Sequence, residues 1–237
     1  MKVAGTLVLV PNLLGAGAPE AVLPARTIAA ARAIEHWVVE TPKAARTFLK
    51  AIAHPRPIAS LAIHALPERP DTATLAKLLA PARAGHAVGM LSDAGAPAVA
   101  DPGATLVAAA HAAGIAVVPL VGPSSILLAL MASGLSGQSF AFHGYLPVRE
   151  DERGKRLREL EADSRAHART QAFIETPFRN AAMLASLCTT LAPRTRLCVA
   201  ADLTLPTESV VTRPVAQWRG FDRDAYQKRP AIFLLQA

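Results

Sequence analysis

LSDAGAPAVADPG, residues 91–103, decides how this chain is read. It holds two aspartates, two glycines and two prolines between an apolar run (HAVGMLS, 86–92) and an alanine-rich run (104–113). The first run reads as a strand and the second as a helix. This much turn chemistry at a strand-to-helix handover marks a ligand loop, because open α/β sheets bind ligands at the carboxyl ends of their strands. Gly95 and Gly103 permit positive φ or close ligand approach, and Pro97 and Pro102 stiffen the turn. Asp93 and Asp101 can hold ligand hydroxyls or cap neighbouring N–H groups.

The same alternation extends outward. Thr6–Val10 reads as a buried strand closed by Pro11, 21–33 as a helix despite Pro24, and HWVVE (36–40) as a strand. A helix with Pro42 in its first turn (42–53) precedes a strand at 60–66. Asp71 caps a helix running to about Arg83. Gly114 stops the 104–113 helix before a strand at 115–121. Beyond this point the pattern changes: helix 124–134, strand 139–147, a charged helical stretch 149–160, strand 171–175, helix 179–191, strand 196–204, a crossover 208–218 and a closing strand 231–236. The fold class is therefore α/β, with two α/β domains. The first, residues 1–120, carries a mostly parallel sheet, and the second, residues 121–237, a mixed one.

At 237 residues there is ample core for both. Apolar residues make up 51%, which excludes a disordered chain. The net charge of +7 favours a polyanionic partner, nucleic acid before a membrane surface, although a solubility margin explains it as well. Cys188 and Cys198 show neither metal spacing nor a disulfide framework. They read as core thiols in a reducing cytoplasm. The histidines show no ligand spacing, so no metal is expected. The lysine-led opening reads as a first strand rather than a leader. The apolar stretch 104–122 contains His111, Gly114 and Pro119 and reads as helix, turn and strand, so no membrane span is expected.

The loops after Pro11, Glu40, Ser92 and Gly122 should converge on one sheet edge. PNLLGAG has neither the spacing of a dinucleotide fingerprint nor a P-loop lysine, and by itself is an ordinary turn. Ser124 and Ser125 lie at a helix start, where free N–H groups suit a carboxylate and where simple capping is an equal reading.

SDAGAPAVADPG, followed by VGPSS, resembles the tetrapyrrole methylase superfamily of S-adenosylmethionine-dependent methyltransferases. Within it the chain is most similar to the small-subunit (16S) ribosomal RNA cytidine 2′-O-methyltransferase family, as a short, divergent member. VPNLLGAG stands for that family's VPTPIGNL, VETPK for its EDTR loop, GYLP for GFLP, IETPFRN for YESPHR and ADLT for RELT, with Glu208 beyond it. The resemblance runs through nearly the whole chain in order.

The resemblance implies a homodimer of two-domain subunits in the cytoplasm, with S-adenosylmethionine in the cleft between domains. Carried over, the cofactor residues are Pro11, Asn12, Gly15, Ser92, Asp93, Ala94, Gly95, Pro97, Gly122, Ser124, Ser125, Thr176, Ala201 and Pro230. Methyl transfer to a ribose hydroxyl benefits from a base. Asp101, then Glu40 and Glu175, are the candidates by position. Lys43, Arg149, Arg153, Arg156, Arg179 and Asn180 are expected on the substrate side. Glu175 and Arg179 also fit an i,i+4 surface pair, and the acids interleaved among residues 149–160 also fit a solvated helix.

The departures fall mainly on the substrate side. Asn12-Leu13-Leu14 replaces Thr-Pro-Ile, and ETPK replaces Asp-Thr-Arg with Lys43 at the arginine position. QKRP before the last strand loses a carboxylate. The expectation is a methyltransferase acting on ribosomal RNA. The rivals are a tetrapyrrole or other small-molecule methyltransferase, and a non-catalytic RNA-binding relative.

Overall fold

A computed structural model describes residues 5–237, without the side chain of Arg223. The lysine-led opening, residues 1–4, lies outside them. The chain divides into two compact units, Met1–Ser124 and Ser125–Ala237.

The first unit alternates strand and helix: β1 (Thr6–Leu9), α1 (Ala25–Arg32), β2 (His36–Val39), α2 (Pro42–Ala51), β3 (Ala62–Ala65), α3 (Thr72–Arg83), β4 (Val88–Leu91), α4 (Ala104–Ala112) and β5 (Ala116–Pro119). Its five strands lie in the order β3-β2-β4-β1-β5, and every pairing is parallel. β4 returns to lie between β2 and β1, and β5 is placed on the far side of β1. The direction of connection therefore reverses around β1 and β4, the place where α/β sheets hold ligands.

Both faces of this sheet are covered, which is why its strands read as unbroken apolar runs. Val8, Val10, Trp37 and Val39 pack to one side with Phe48 and Leu49 of α2. Leu7, Val38 and Met90 pack to the other with Leu79 of α3 and Leu106 of α4. Gly89 sits opposite Trp37 in the β2–β4 register, and a Cβ there would lie 2.7 Å from the indole. The large ring dictates the absent side chain.

Helix starts follow their caps. The Asp71 side chain accepts from Thr74 N at 2.7 Å, and the Thr41 side chain accepts from Ala44 N ahead of Pro42. The helix expected over 21–33 begins later. Pro19–Ala21 forms a single 3₁₀ turn, and α1 starts only after Pro24, whose ring disfavours helical geometry in the residue before it.

The second unit comprises α5 (Ser125–Ser133), β6 (Phe140–Tyr145), α6 (Glu150–His167), β7 (Thr170–Ile174), α7 (Asn180–Thr190), β8 (Arg196–Ala201), β9 (Ser209–Pro214), α8 (Val215–Trp218) and β10 (Ala231–Gln236). Its sheet runs β6-β7-β10-β8-β9. It is parallel at β6–β7 and antiparallel elsewhere. Residues 208–218, expected as a crossover, form the edge strand β9 and the short α8. As an edge strand β9 is only partly buried, so it lacks the apolar run that marks a central strand. Leu157 and Leu160 of α6, Leu184 and Leu187 of α7, Phe173 and Phe233 of the sheet and Trp218 form the core. No helix of the described residues is long and apolar enough to cross a membrane.

Candidate functional site

The carboxyl ends of β1, β2, β4 and β5 carry loops that are tied together through side chains. Asn12, 6% exposed, bridges the first and third of these. Its Nδ2 donates to Ser92 O and Asp93 O, both at 3.0 Å, and its Oδ1 accepts from Leu13 N at 2.8 Å. Its main-chain N–H donates to Gly95 O at 2.9 Å. Every polar group of the side chain is engaged, so Asn12 shapes the loop and has no side-chain donor left for a ligand.

Glu40 and Asp93 latch the second loop to the third. Glu40 Oε2 accepts from Asp93 N at 2.9 Å. In return Asp93 Oδ1 accepts from Thr41 N at 3.1 Å and from the Thr41 hydroxyl at 2.8 Å. Of the two aspartates in the quoted stretch, Asp93 therefore takes the capping role. Thr41 is a site residue that the sequence did not flag. Its position immediately before Pro42, as an N-cap, was the available signal.

Asp101 is half-buried and differs from Asp93. Burial pushes its carboxyl up to about 6, and the nearby charges of Glu40 and Asp93 push the same way. Ser92, 1% exposed, lies near enough to favour ionised Asp101, yet its hydroxyl closes no hydrogen bond of good geometry.

The fourth loop is set by close packing. Leu120 N donates to Leu9 O at 2.9 Å and the Thr27 hydroxyl to Val121 O at 2.7 Å. A Cβ on Gly122 would lie 2.4 Å from Pro11 Cβ, so only glycine lets these two loops touch. Pro97 is buried within the third loop. Ser124 closes the first unit, and Ser125 is the first residue of α5.

A cavity of about 540 Å³ opens beside this edge. The Asn12–Gly17 loop, including Gly15, forms one wall. Lys43, Ala44, Thr47, Phe48 and Ala51 of α2 form another, and Asp93 and Ala94 complete it with Thr41. Its walls are largely apolar, with one ammonium, one carboxylate and two hydroxyls among its side chains. Among the described residues no three His, Cys, Asp or Glu side chains are arranged to hold a metal ion.

The remaining expected residues lie in the second unit. Glu175 is buried: Oε1 accepts from Thr176 N and Oε2 from Arg179, both at 2.7 Å. It is an internal clamp and not a surface pair. Asn180, fully buried, donates to Tyr226 O and Arg229 O, and its Oδ1 has no partner among the described residues. Arg229 in turn grips Asp202 at 2.7 Å, while Asp202 N donates to Pro230 O. Ala201 and Pro230 thus flank an Asp202–Arg229 pair, while Thr176 lies beside the Glu175–Arg179 clamp.

The three arginines expected on the substrate side in and just before α6 are engaged within the protein. Arg153 is 7% exposed and donates to Ser186 Oγ and Val148 O. Arg149 pairs with Asp151 and Glu152, and Arg156 with Glu159 and His143.

Comparison with known proteins places this edge in context. Residues 7–218 match the model of the tetrapyrrole (corrin/porphyrin) methylases. The chain belongs to this family. Among curated relatives it is similar to the ribosomal RNA small subunit methyltransferase I of Mesorhizobium japonicum, 42% identical over 57% of this chain and 45% of the relative. It is also similar to the protein of that name from Vibrio cholerae, 37% identical over 56% of this chain and 45% of the relative. The chain thus covers a little under half the length of these relatives. Among solved structures the methyltransferase CobJ superposes with a TM-score of 0.62 at 21% identity, covering 98% of this chain and 94% of that one. The two share a tetrapyrrole methylase fold.

Proposed function

We propose that the chain is an S-adenosylmethionine-dependent methyltransferase whose acceptor is a ribose 2′-hydroxyl of ribosomal RNA. Its curated relatives carry the name of ribosomal RNA methyltransferases, and the net charge of +7 suits a polyanionic acceptor. The observation that carries the reading is Asp101, a half-buried carboxylate with a pKa raised to about 6, at the edge where four loops converge. Such a group is ionised at neutral pH and basic enough to accept a hydroxyl proton.

The residues present fit the cofactor. Oδ1 of Asp93 holds Thr41, while Oδ2 makes no hydrogen bond to the described residues and can take ribose hydroxyls. Ser92 offers a buried hydroxyl that closes no hydrogen bond of good geometry with the described residues. When bound, the cofactor supplies an activated methyl group on a sulfonium. The protein's own part is alignment and proton removal. Asn12 and Glu40 hold the SDAG loop in place. Asp101 takes the proton from the acceptor oxygen, with Glu40 and Asp93 keeping its basicity up. The reading carries with it a homodimer working in the cytoplasm, where ribosomal RNA is assembled.

The test is transfer of labelled methyl from S-adenosylmethionine to ribosomal subunits and total RNA from a strain lacking the gene. Label mapped to one ribose supports the proposal. Cofactor binding without label in RNA moves the acceptor to small molecules. Neither binding nor label leaves a non-catalytic protein.

A further inference from the structure

We infer that RNA docks on α2, its phosphates on a Lys43–Arg46–Lys50 stripe and one nucleoside in the adjoining cavity, and not on the arginine-rich α6. This rests on the proposal that RNA is the substrate, and it names the surface that receives it.

The two helices differ in what their cations have to do. α6 carries six acids against five Lys and Arg, so Lys155 and Arg158, exposed and without a salt bridge among the described residues, stand beside competing carboxylates. Arg153 is inside the core, Arg149 is paired with acids, and Arg156 is held by Glu159 and His143. α2 carries Lys43, Arg46 and Lys50 and no acid at all. All three are exposed, and none makes a salt bridge with the described residues. At about 100° per residue, positions 43, 46 and 50 fall within roughly 60° of arc and form one continuous stripe. Unpaired cations in a row hold phosphates with no competing carboxylate to displace.

The cavity lies along the flank of this stripe. Lys43 belongs to both, and Thr47 and Ala51, on the same side of α2, line the cavity with Leu13 and Leu14. About 540 Å³ of largely apolar space with hydroxyls at its rim accommodates an unstacked nucleoside. Its far wall reaches Asp93, whose charge acts on Asp101. A strand whose backbone follows the stripe therefore delivers one sugar toward the carboxylate edge.

The experiment measures binding of a labelled single-stranded RNA oligonucleotide by fluorescence anisotropy across a salt series. The Lys43→Ala/Arg46→Ala/Lys50→Ala variant is expected to lose about tenfold or more in affinity, and its log-affinity against log-salt slope to shrink by about 2. Thr47→Trp, which fills the cavity, is expected to weaken binding several-fold with an unchanged slope. A Lys155→Ala/Arg158→Ala variant on α6 is expected to bind like the wild type. Unchanged affinity and slope in the α2 variant overturns the inference, as does loss confined to the α6 variant. If the wild type binds RNA through the stripe but transfers no methyl group to it, the proposed activity fails and the docking surface stands. If the α2 variant methylates and binds RNA at wild-type levels, the activity stands and the docking surface fails.

Discussion

Glu40 and Asp93, carboxylates on two different loops, each accept a backbone N–H from the other's loop. The Asp93 N–H donates to Glu40 at 2.9 Å, and the Asp93 side chain accepts the N–H of Thr41, the residue after Glu40. Two like charges are thus kept near one another by reciprocal hydrogen bonds. Burial raises the pKa of Asp101, and its place within their field raises it further.

Asp93→Ala removes both bonds to Thr41 but leaves the Glu40 contact to the backbone. These bonds are solvent-exposed, so the stability cost is expected to stay near 1 kcal/mol. Cofactor affinity is expected to drop by about tenfold or more, because the loop and its free carboxylate oxygen are lost together. Calorimetric titration with S-adenosylhomocysteine beside a thermal melt checks this. Equal affinity in the two proteins would remove Asp93 from the site.

Asp101 predicts an inverted acid response. Folded, it keeps its proton to about pH 6, whereas an ordinary aspartate releases it near 3.8. The native state binds more protons between those values, so this residue's contribution to stability is full below about 3.8 and is lost as pH rises through about 6. Asp101→Asn is therefore expected to raise the melting temperature at pH 8 and to change it little at pH 4. Methyl transfer should rise through about pH 6 in the wild type, and Glu40→Gln should move that rise to lower pH. A wild-type profile that is flat between pH 5 and 7 would exclude Asp101 as the base.

Gly122→Ala is expected to destabilise the first unit by about 1–3 kcal/mol, since the new methyl meets Pro11 at 2.4 Å. Denaturant unfolding gives the value. A change below 0.5 kcal/mol would mean that the two loops part freely.

Arg153→Ala is expected to cost about 1–3 kcal/mol of stability by removing a buried side chain together with its hydrogen bonds to Ser186 Oγ and Val148 O. RNA affinity per folded molecule should not move. Loss of RNA binding at unchanged stability would reinstate Arg153 as a ligand.

Local signals made most of the architecture legible. Asp71, Pro42 and Gly114 mark helix ends through groups that act within one turn of themselves. Unbroken runs such as Thr6–Leu9 mark strands covered on both faces. β9 escaped because an edge strand needs no such run. The helical pattern over 21–33 overruns α1 because Pro24 sets a boundary that acts through the residue before it.

The candidate site divides along the same line. The residues of residue stretch 91–103 announced a ligand loop, because glycine, proline and aspartate carry their turn chemistry wherever they stand. Which aspartate latches and which titrates depends on Glu40 and Thr41, more than fifty positions away. The roles of the basic residues were settled the same way. Charge along α6 suggests a phosphate face, yet Arg153 turns inward to Ser186 and Arg149 and Arg156 find acids, while the three cations of α2 face water on a helix without acids. Turn, cap and strand character belong to residues and their immediate neighbours, and so are written in the order of the chain. Burial, partnering and pKa are properties of the space around a side chain, and that space exists only once distant segments have packed.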